Sequence, residues 1–256
     1  MRLAIHPTRD VGHRAGRILA AEAALEALGI YGHRGPGTED RRVTAISGLE
    51  GFTVLASDDL TAPLDLAAIA AEDGLSCVLA ADVAPPPDLA ARFAARGRCL
   101  LVAASLPGLA EALASRLPLL PGDGALLLAW TSEGKPGPRQ VAVPFPDPVG
   151  ACWGRRLPPR PGDPPSSTRV EVPLPGPWAG ALARATTGRR RHRRQHLVAV
   201  ADDRRHLEAI ALAAGALLLA RGETPPGTCR TADLAEAYLA ECLGVGLEVA
   251  TLRGRS

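Results

Sequence analysis

Apolar positions in the first 120 residues fall into two alternating kinds of run. Short, nearly unbroken runs at residues 2–6, 52–56, 76–80 and 98–103 read as strands, and their continuity predicts burial on both faces. The run at 11–28 has helical spacing instead. It places Ala15, Ile18, Leu19, Leu25 and Leu28 on one face with Arg14, Arg17 and Glu26 off it, and Gly29 is positioned to stop the helix. Ile30 and Tyr31 begin another strand, closed by Gly32 and a polar loop running to Arg42. Residues 64–72 and 87–96 read as helices, the second opened by a proline, and Ser105 is placed to cap a helix running to Leu117. Strands alternating with helices predict an α/β fold: a Rossmann-like, doubly wound parallel sheet with right-handed crossovers.

From about residue 120 the pattern changes. Residues 125–131 and 140–143 read as strands around a turn-rich segment, and the proline-dense stretch 158–167 reads as a loop or linker. Strands follow at 169–172, 180–186 and 196–201, the last two joined by an arginine-rich turn at 188–194. Asp202 or Asp203 caps a long helix to Arg221 with Leu207, Ile210, Ala214 and Leu217 in one stripe; a helix at 231–243 and a strand at 247–251 close the chain. This predicts a Rossmann-like nucleotide-binding domain over 1–120. A smaller α+β domain with a mostly antiparallel sheet follows over 121–256, its last helix and strand free to pack back on the first.

Composition narrows the functional classes. Apolar residues are 46% and charged residues 22%, the balance of a globular chain, while aromatics are only 3%, so Ala, Leu and Val must build the core. A net charge of +2 is too small to point to nucleic acid. Residues 189–194, rich in arginine, lack the interleaved aromatics that stack bases and read as an exposed hairpin tip. Cys77, Cys99, Cys152, Cys229 and Cys242 are odd in number and never spaced as a ligand pair, so neither a disulfide framework nor a metal site is expected. The apolar stretch at 207–220 is shorter than the roughly 20 residues that span a bilayer, and the first residues run straight into a strand without a leader-like apolar region. A cytoplasmic protein is the expectation.

Open parallel sheets bind ligands at the carboxyl ends of their strands, where strand order reverses. The first such end is the turn His6-Pro7-Thr8-Arg9-Asp10-Val11-Gly12-His13, in which Gly12 alone remains of the usual three glycines. The start of the following helix offers free N–H groups to an anion. Two outcomes are open: Arg9 swings out and grips a diphosphate, or the segment is a bare strand-to-helix connection. About 20 residues beyond Gly12, where an acidic residue ordinarily holds a ribose hydroxyl, stand His33 and Arg34, a pair suited to a 2′-phosphate. Ser57, Asp58, Ala81 and Asp82 end the next two strands.

These features resemble the two-domain NAD(P)-dependent reductases of the dihydrodipicolinate-reductase-like, saccharopine-dehydrogenase-like and glucose–fructose-oxidoreductase-like groups. The likeness rests on Gly12 preceded by Thr8-Arg9-Asp10-Val11, on the Ser57-Asp58 and Ala81-Asp82 strand ends, and on the change of grammar near residue 120. It departs in the missing glycines and in Ala81-Asp82-Val83-Ala84-Pro85, where those enzymes carry Glu-Lys-Pro. The resemblance implies hydride transfer to a small polar metabolite between two domains, with Thr8, Arg9, Asp10, Val11, Gly12 and His13 on the diphosphate. It gives His33 and Arg34 the 2′-phosphate of NADP (NAD being the other cofactor of the group), and Ser57, Asp58, Ala81 and Asp82 the nicotinamide side. Phe145, Asp147 and Trp153 are the expected substrate contacts, Asp147 and Lys135 the candidate acids, no metal is expected, and a homodimer is the expected assembly. The competing reading is a catalytically inactive Rossmann-like protein, a partner subunit or small-molecule sensor.

Overall fold

The computed structural model describes residues 1–32, 40–118, 124–135, 138–160, 163, 166–188 and 194–255. They form two compact units, Met1–Ser105 with Glu208–Gly246, and Leu106–Leu207 with Leu247–Ser256.

The first unit is built on a parallel sheet of β1 (Arg2–His6), β2 (Ala27–Tyr31), β3 (Val43–Ile46), β4 (Val54–Ser57), β5 (Ser76–Leu79), β6 (Cys99–Val102) and β13 (Gly227–Arg230). The strand order is β3-β2-β1-β4-β5-β6-β13, the doubly wound 3-2-1-4-5-6 sequence extended by one strand. Alternate side chains feed two separate cores. Leu3, Ile5, Val54, Ala56, Val78 and Leu101 pack with α1 (Asp10–Ala20) and the long helix α5 (Arg204–Ala220). Ala4, Leu55, Cys77, Leu79, Leu100 and Val102 pack with α2 (Pro63–Asp73) and α3 (Pro87–Ala95). Burial on both faces is why these strands read as unbroken apolar runs.

The fold class is as the sequence implies, but several elements differ. The first helix ends at Ala20, not at residue 28. Leu25 and Leu28 are buried as predicted, but Leu28 is buried in β2, where register with β1 and β3 outweighs the helical spacing. Gly29 is therefore no helix stop. It is a strand residue whose added Cβ would lie 2.3 Å from Ile46 Cδ1 and 2.8 Å from Phe52 Cζ. Strands β3 and β13 carry no strong periodic signal; each is four residues long and lies at an edge of the sheet. The expected helix at 231–243 opens as a 3₁₀ turn, Thr231–Leu234, before α6 (Ala235–Gly244).

The second unit holds a mixed, mostly antiparallel sheet in the order β14-β12-β11-β7-β10-β9-β8. Its strands are β7 (Ala125–Ser132), β8 (Val141–Pro144), β9 (Ala151–Leu157), β10 (Ser167–Pro173), β11 (Trp178–Thr187), β12 (Arg194–Asp203) and β14 (Ala250–Arg255), with β7 and β10 the parallel pair. The helix α4 (Leu106–Leu113) packs on β7 and β11. Strand β9, absent from the sequence reading, carries Trp153, and the final strand begins three residues later than expected. Asp203 caps α5 as anticipated, its Oδ1 accepting the His206 N–H at 3.1 Å. Among the described residues no helix is long and apolar enough to cross a membrane.

Candidate functional site: the carboxyl edge of the parallel sheet

Strand order reverses between β1 and β4, which lie side by side with His6 opposite Ser57. The turn after β1 and the residues after β4 therefore face each other at the switch point. Arg9 takes the N-cap position of α1, with an extended backbone and no capping bond from its own side chain. Asp58 supplies the cap from outside the helix. Its Oδ1 accepts the Thr8 N–H at 2.6 Å and the Thr8 hydroxyl at 3.0 Å, and its Oδ2 accepts the N–H groups of Arg9 at 3.0 Å and Gly12 at 2.7 Å. Asp58 is fully buried. Four donors on two oxygens, at the positive end of a helix dipole, satisfy most of the charge, and the Arg9 guanidinium stands 3.9 Å from Oδ2.

Gly12 makes this close approach possible. A Cβ there would lie 2.6 Å from Pro7 Cα, 2.8 Å from Pro7 Cβ and 3.0 Å from Asp58 Cγ. The one retained glycine thus serves the contact with the chain's own proline and carboxylate. Arg9 is drawn the same way, its Nε donating to the Asp58 carbonyl oxygen at 3.1 Å while Nη1 stands 3.8 Å from Glu208 Oε2 at the start of α5. On the other side of the turn, the His6 ring turns toward β2, with Nδ1 3.0 Å from the Tyr31 carbonyl oxygen. That ring lies over Gly32, where a Cβ would meet it at 2.9 Å.

The remaining edge residues are likewise engaged. The Ser57 hydroxyl accepts the Asp59 N–H at 3.1 Å, and the Ala81 carbonyl accepts the Ala103 N–H at 3.0 Å. Asp82 pairs with Arg230, at the end of β13, at 2.7 Å. Thr8, Arg9, Gly12 and Asp58 are thus brought into one hydrogen-bonded group, with Asp10, Val11 and His13 on the first turn of α1 beside it. His33 and Arg34 lie outside the described residues. Sequence reading missed Glu208, Arg230 and the cross-chain cap. The available signal was an arginine at an N-cap position that Ser, Thr, Asp or Asn normally fills.

A nicotinamide dinucleotide would place its diphosphate on the same N–H groups. The residues present do not fit it. The donors are spent on Asp58, a second anion would stand against that carboxylate, and Arg9 and His6 fill the adjoining space.

In the second unit, Asp147 is exposed and lines a cavity of about 260 Å³ with Pro146, Ala201 and Glu248. Phe145 is buried in the sheet's core, whereas Trp153 is 52% exposed on the opposite face of β9 from Cys152, which packs on that core. These three substrate candidates do not converge. Lys135 is exposed in its turn. Burial pushes the thiols of Cys77 and Cys242 far up, which disqualifies both as nucleophiles at neutral pH. Among the described residues no three His, Cys, Asp or Glu side chains are grouped to hold a metal.

No protein-family model matches this chain, and no curated protein sequence does. Solved structures do. A DAP dehydrogenase of C. glutamicum in complex with DAP is similar with TM-score 0.56 at 12% identity, over 91% of this chain and 93% of that one. An engineered D-amino acid dehydrogenase gives 0.55 at 11%, over 91% and 94%, and in its NADP⁺-bound form 0.52 at 12%, over 91% and 93%. What this chain has in common with those dehydrogenases is their two-domain fold, a Rossmann-like parallel sheet followed by a mostly antiparallel one.

Proposed function

We propose that this chain works without a nicotinamide dinucleotide, as a catalytically inactive Rossmann-like partner subunit or small-molecule sensor. The observation that carries this reading is the buried Asp58 carboxylate on the N–H groups of Thr8, Arg9 and Gly12. An occupant tethered to the chain competes at an effective concentration on the order of millimolar or more. A diphosphate has to displace it and then sit beside a displaced negative charge in a buried site. The fold likeness favours a second reading, an NADP-preferring oxidoreductase acting on a small polar metabolite, with Asp147 or Lys135 as its acid.

Thermal denaturation with NADPH, with NADH and with neither separates the two. A ligand at 100 times its dissociation constant adds about 2.7 kcal/mol, a rise in Tm of roughly 5–10 °C for a chain of this size. No rise with either dinucleotide is expected. A saturable rise with NADPH would restore the oxidoreductase reading.

A further inference from the structure

The two sheets have four edges, and three of them are short. Strands β3, β13 and β8 are four residues each, β8 ending in Pro144, whereas β14 runs six residues without a proline. It pairs with β12 from Ala250 opposite Ala199 to Arg255 opposite Arg194, and no other element among the described residues packs along it. Its outer side therefore presents a row of backbone N–H and C=O groups that another extended chain can pair. Leu252, in the middle of this edge, is 61% exposed, the most of any large apolar side chain among the described residues.

Ala250 lies two residues before Leu252 and, by strand alternation, on the same face. It lines the cavity of about 260 Å³ together with Ala199, Ala201 and the exposed carboxylates of Asp147 and Glu248. Neither carboxylate has a cationic partner among the described residues. An open edge with two unneutralised carboxylates at one position and an apolar side chain two positions on is complementary to a strand of matching pattern. A second copy does not supply that pattern. Two-fold antiparallel pairing of β14 with itself keeps each face on its own side, and the arginines at 253 and 255 fall at positions alternate to 250 and 252. Nucleic acid offers nothing to pair with the backbone row.

We infer that β14 is a docking edge for an extended segment of a partner protein, added to the second sheet as a further strand. A lysine or arginine of that segment meets Asp147 and Glu248 at the cavity, and an apolar residue two positions away covers Leu252. Main-chain hydrogen bonds give such a complex its affinity, and the alternate side chains give it specificity. The inference goes beyond the cofactor question, because it concerns the second unit alone and stands whether or not the first takes a dinucleotide.

The test is an NMR titration of the isotope-labelled full chain with end-capped peptides. The first is Thr-Thr-Arg-Thr-Leu-Thr-Thr; the second has glutamate in place of its arginine; the third is the first with alternate amides N-methylated. The arginine peptide is expected to shift the β14 amides saturably, with a dissociation constant of roughly millimolar or below, and the other two to bind at least about tenfold more weakly. In Asp147→Asn with Glu248→Gln, the arginine and glutamate peptides should come within about twofold of each other. The peptide comparisons use the unaltered chain, so the decision does not wait on that variant. No saturable shift in β14 with the arginine peptide overturns the inference. Equal binding of the N-methylated peptide, with shifts confined to the cavity, overturns it in favour of a pocket for a small cation. Equal binding of the glutamate peptide overturns the assigned partner chemistry. Sedimentation showing a dimer that the arginine peptide does not dissociate, with the β14 amides protected, overturns it in favour of a second copy. None of these outcomes moves the NADPH melt, which decides the cofactor reading separately.

Discussion

Asp58 in the first unit and Glu111 in the second are both buried carboxylates, and they are held by opposite means. Asp58 rests on backbone N–H groups at a helix start. Glu111 Oε1 accepts from Arg169 Nη2 at 2.6 Å and from Arg160 Nη1 at 3.0 Å, and Arg169 in turn lies 3.5 Å from Asp163 and over the Trp130 ring at 5.1 Å. The first arrangement meets a charge chiefly with backbone partial charges, the Arg9 guanidinium lying farther off at 3.9 Å. The second neutralises it with full charges on side chains, which tie Arg160 and Asp163 to α4 and β10. Removing the carboxylate therefore leaves different debts: unmet dipoles in one case, and in the other a buried cation whose remaining carboxylate partner, Asp163, stands at 3.5 Å.

The largest expected effect follows from that difference. Glu111→Ala takes away the 2.6 Å partner of the Arg169 guanidinium, whose side chain is only 2% exposed, and leaves it Asp163 at 3.5 Å, so it should lower stability by about 3 kcal/mol or slightly more in urea denaturation. Replacing Glu111 and Arg169 together by methionine should recover most of that loss, because the cost lies in a buried charge that has lost its shorter ion pair. Asp58→Ala should lose less, about 2–3 kcal/mol, as its hydrogen-bond donors are neutral, the Arg9 guanidinium 3.9 Å away is partly exposed, and Thr8 is exposed to water. A reversed ranking would break the contrast. Gly12→Ala comes next, at about 1–3 kcal/mol, because the methyl lands 2.6 Å from backbone at Pro7 and the turn must shift. A measured loss under about 0.5 kcal/mol would mean that the turn yields freely.

The two regions also differ in how far the sequence exposes them. The switch-point site was legible because it is local: a strand, a turn with one glycine, and two strand ends that doubly wound topology must bring together. What the sequence did not reveal is which group fills the seat, since Asp58 stands among acidic strand-end residues with nothing in the chain to mark it as a cap. The Glu111 cluster was invisible. Its partners lie 49 and 58 residues away, on elements whose register is set by the sheet and not by spacing along the chain. The same holds for β2, where apolar spacing favoured a helix and sheet pairing decided otherwise. Edge strands β3 and β13 escaped because four residues with partial exposure carry too little alternation to read.

The smallest expected effect sharpens the comparison from the other side. Arg230 and Asp82 sit at the rim of the same edge that holds Asp58, paired at 2.7 Å across 148 residues of chain, with side chains 31% and 22% exposed. Here two full charges meet where water still reaches both, so the Coulomb gain is screened and partly offset by ordering two side chains. Arg230→Gln should cost under about 1 kcal/mol, and the difference should shrink as salt is raised. The Arg230 backbone N–H still receives its cap from Asp233 Oδ2 at 2.8 Å, so β13 and the turn after it should hold in the variant. A loss of several kcal/mol, insensitive to salt, would mean that the rim is as dry as the Glu111 cluster, and that burial, more than the kind of partner, sets what a carboxylate is worth in this fold.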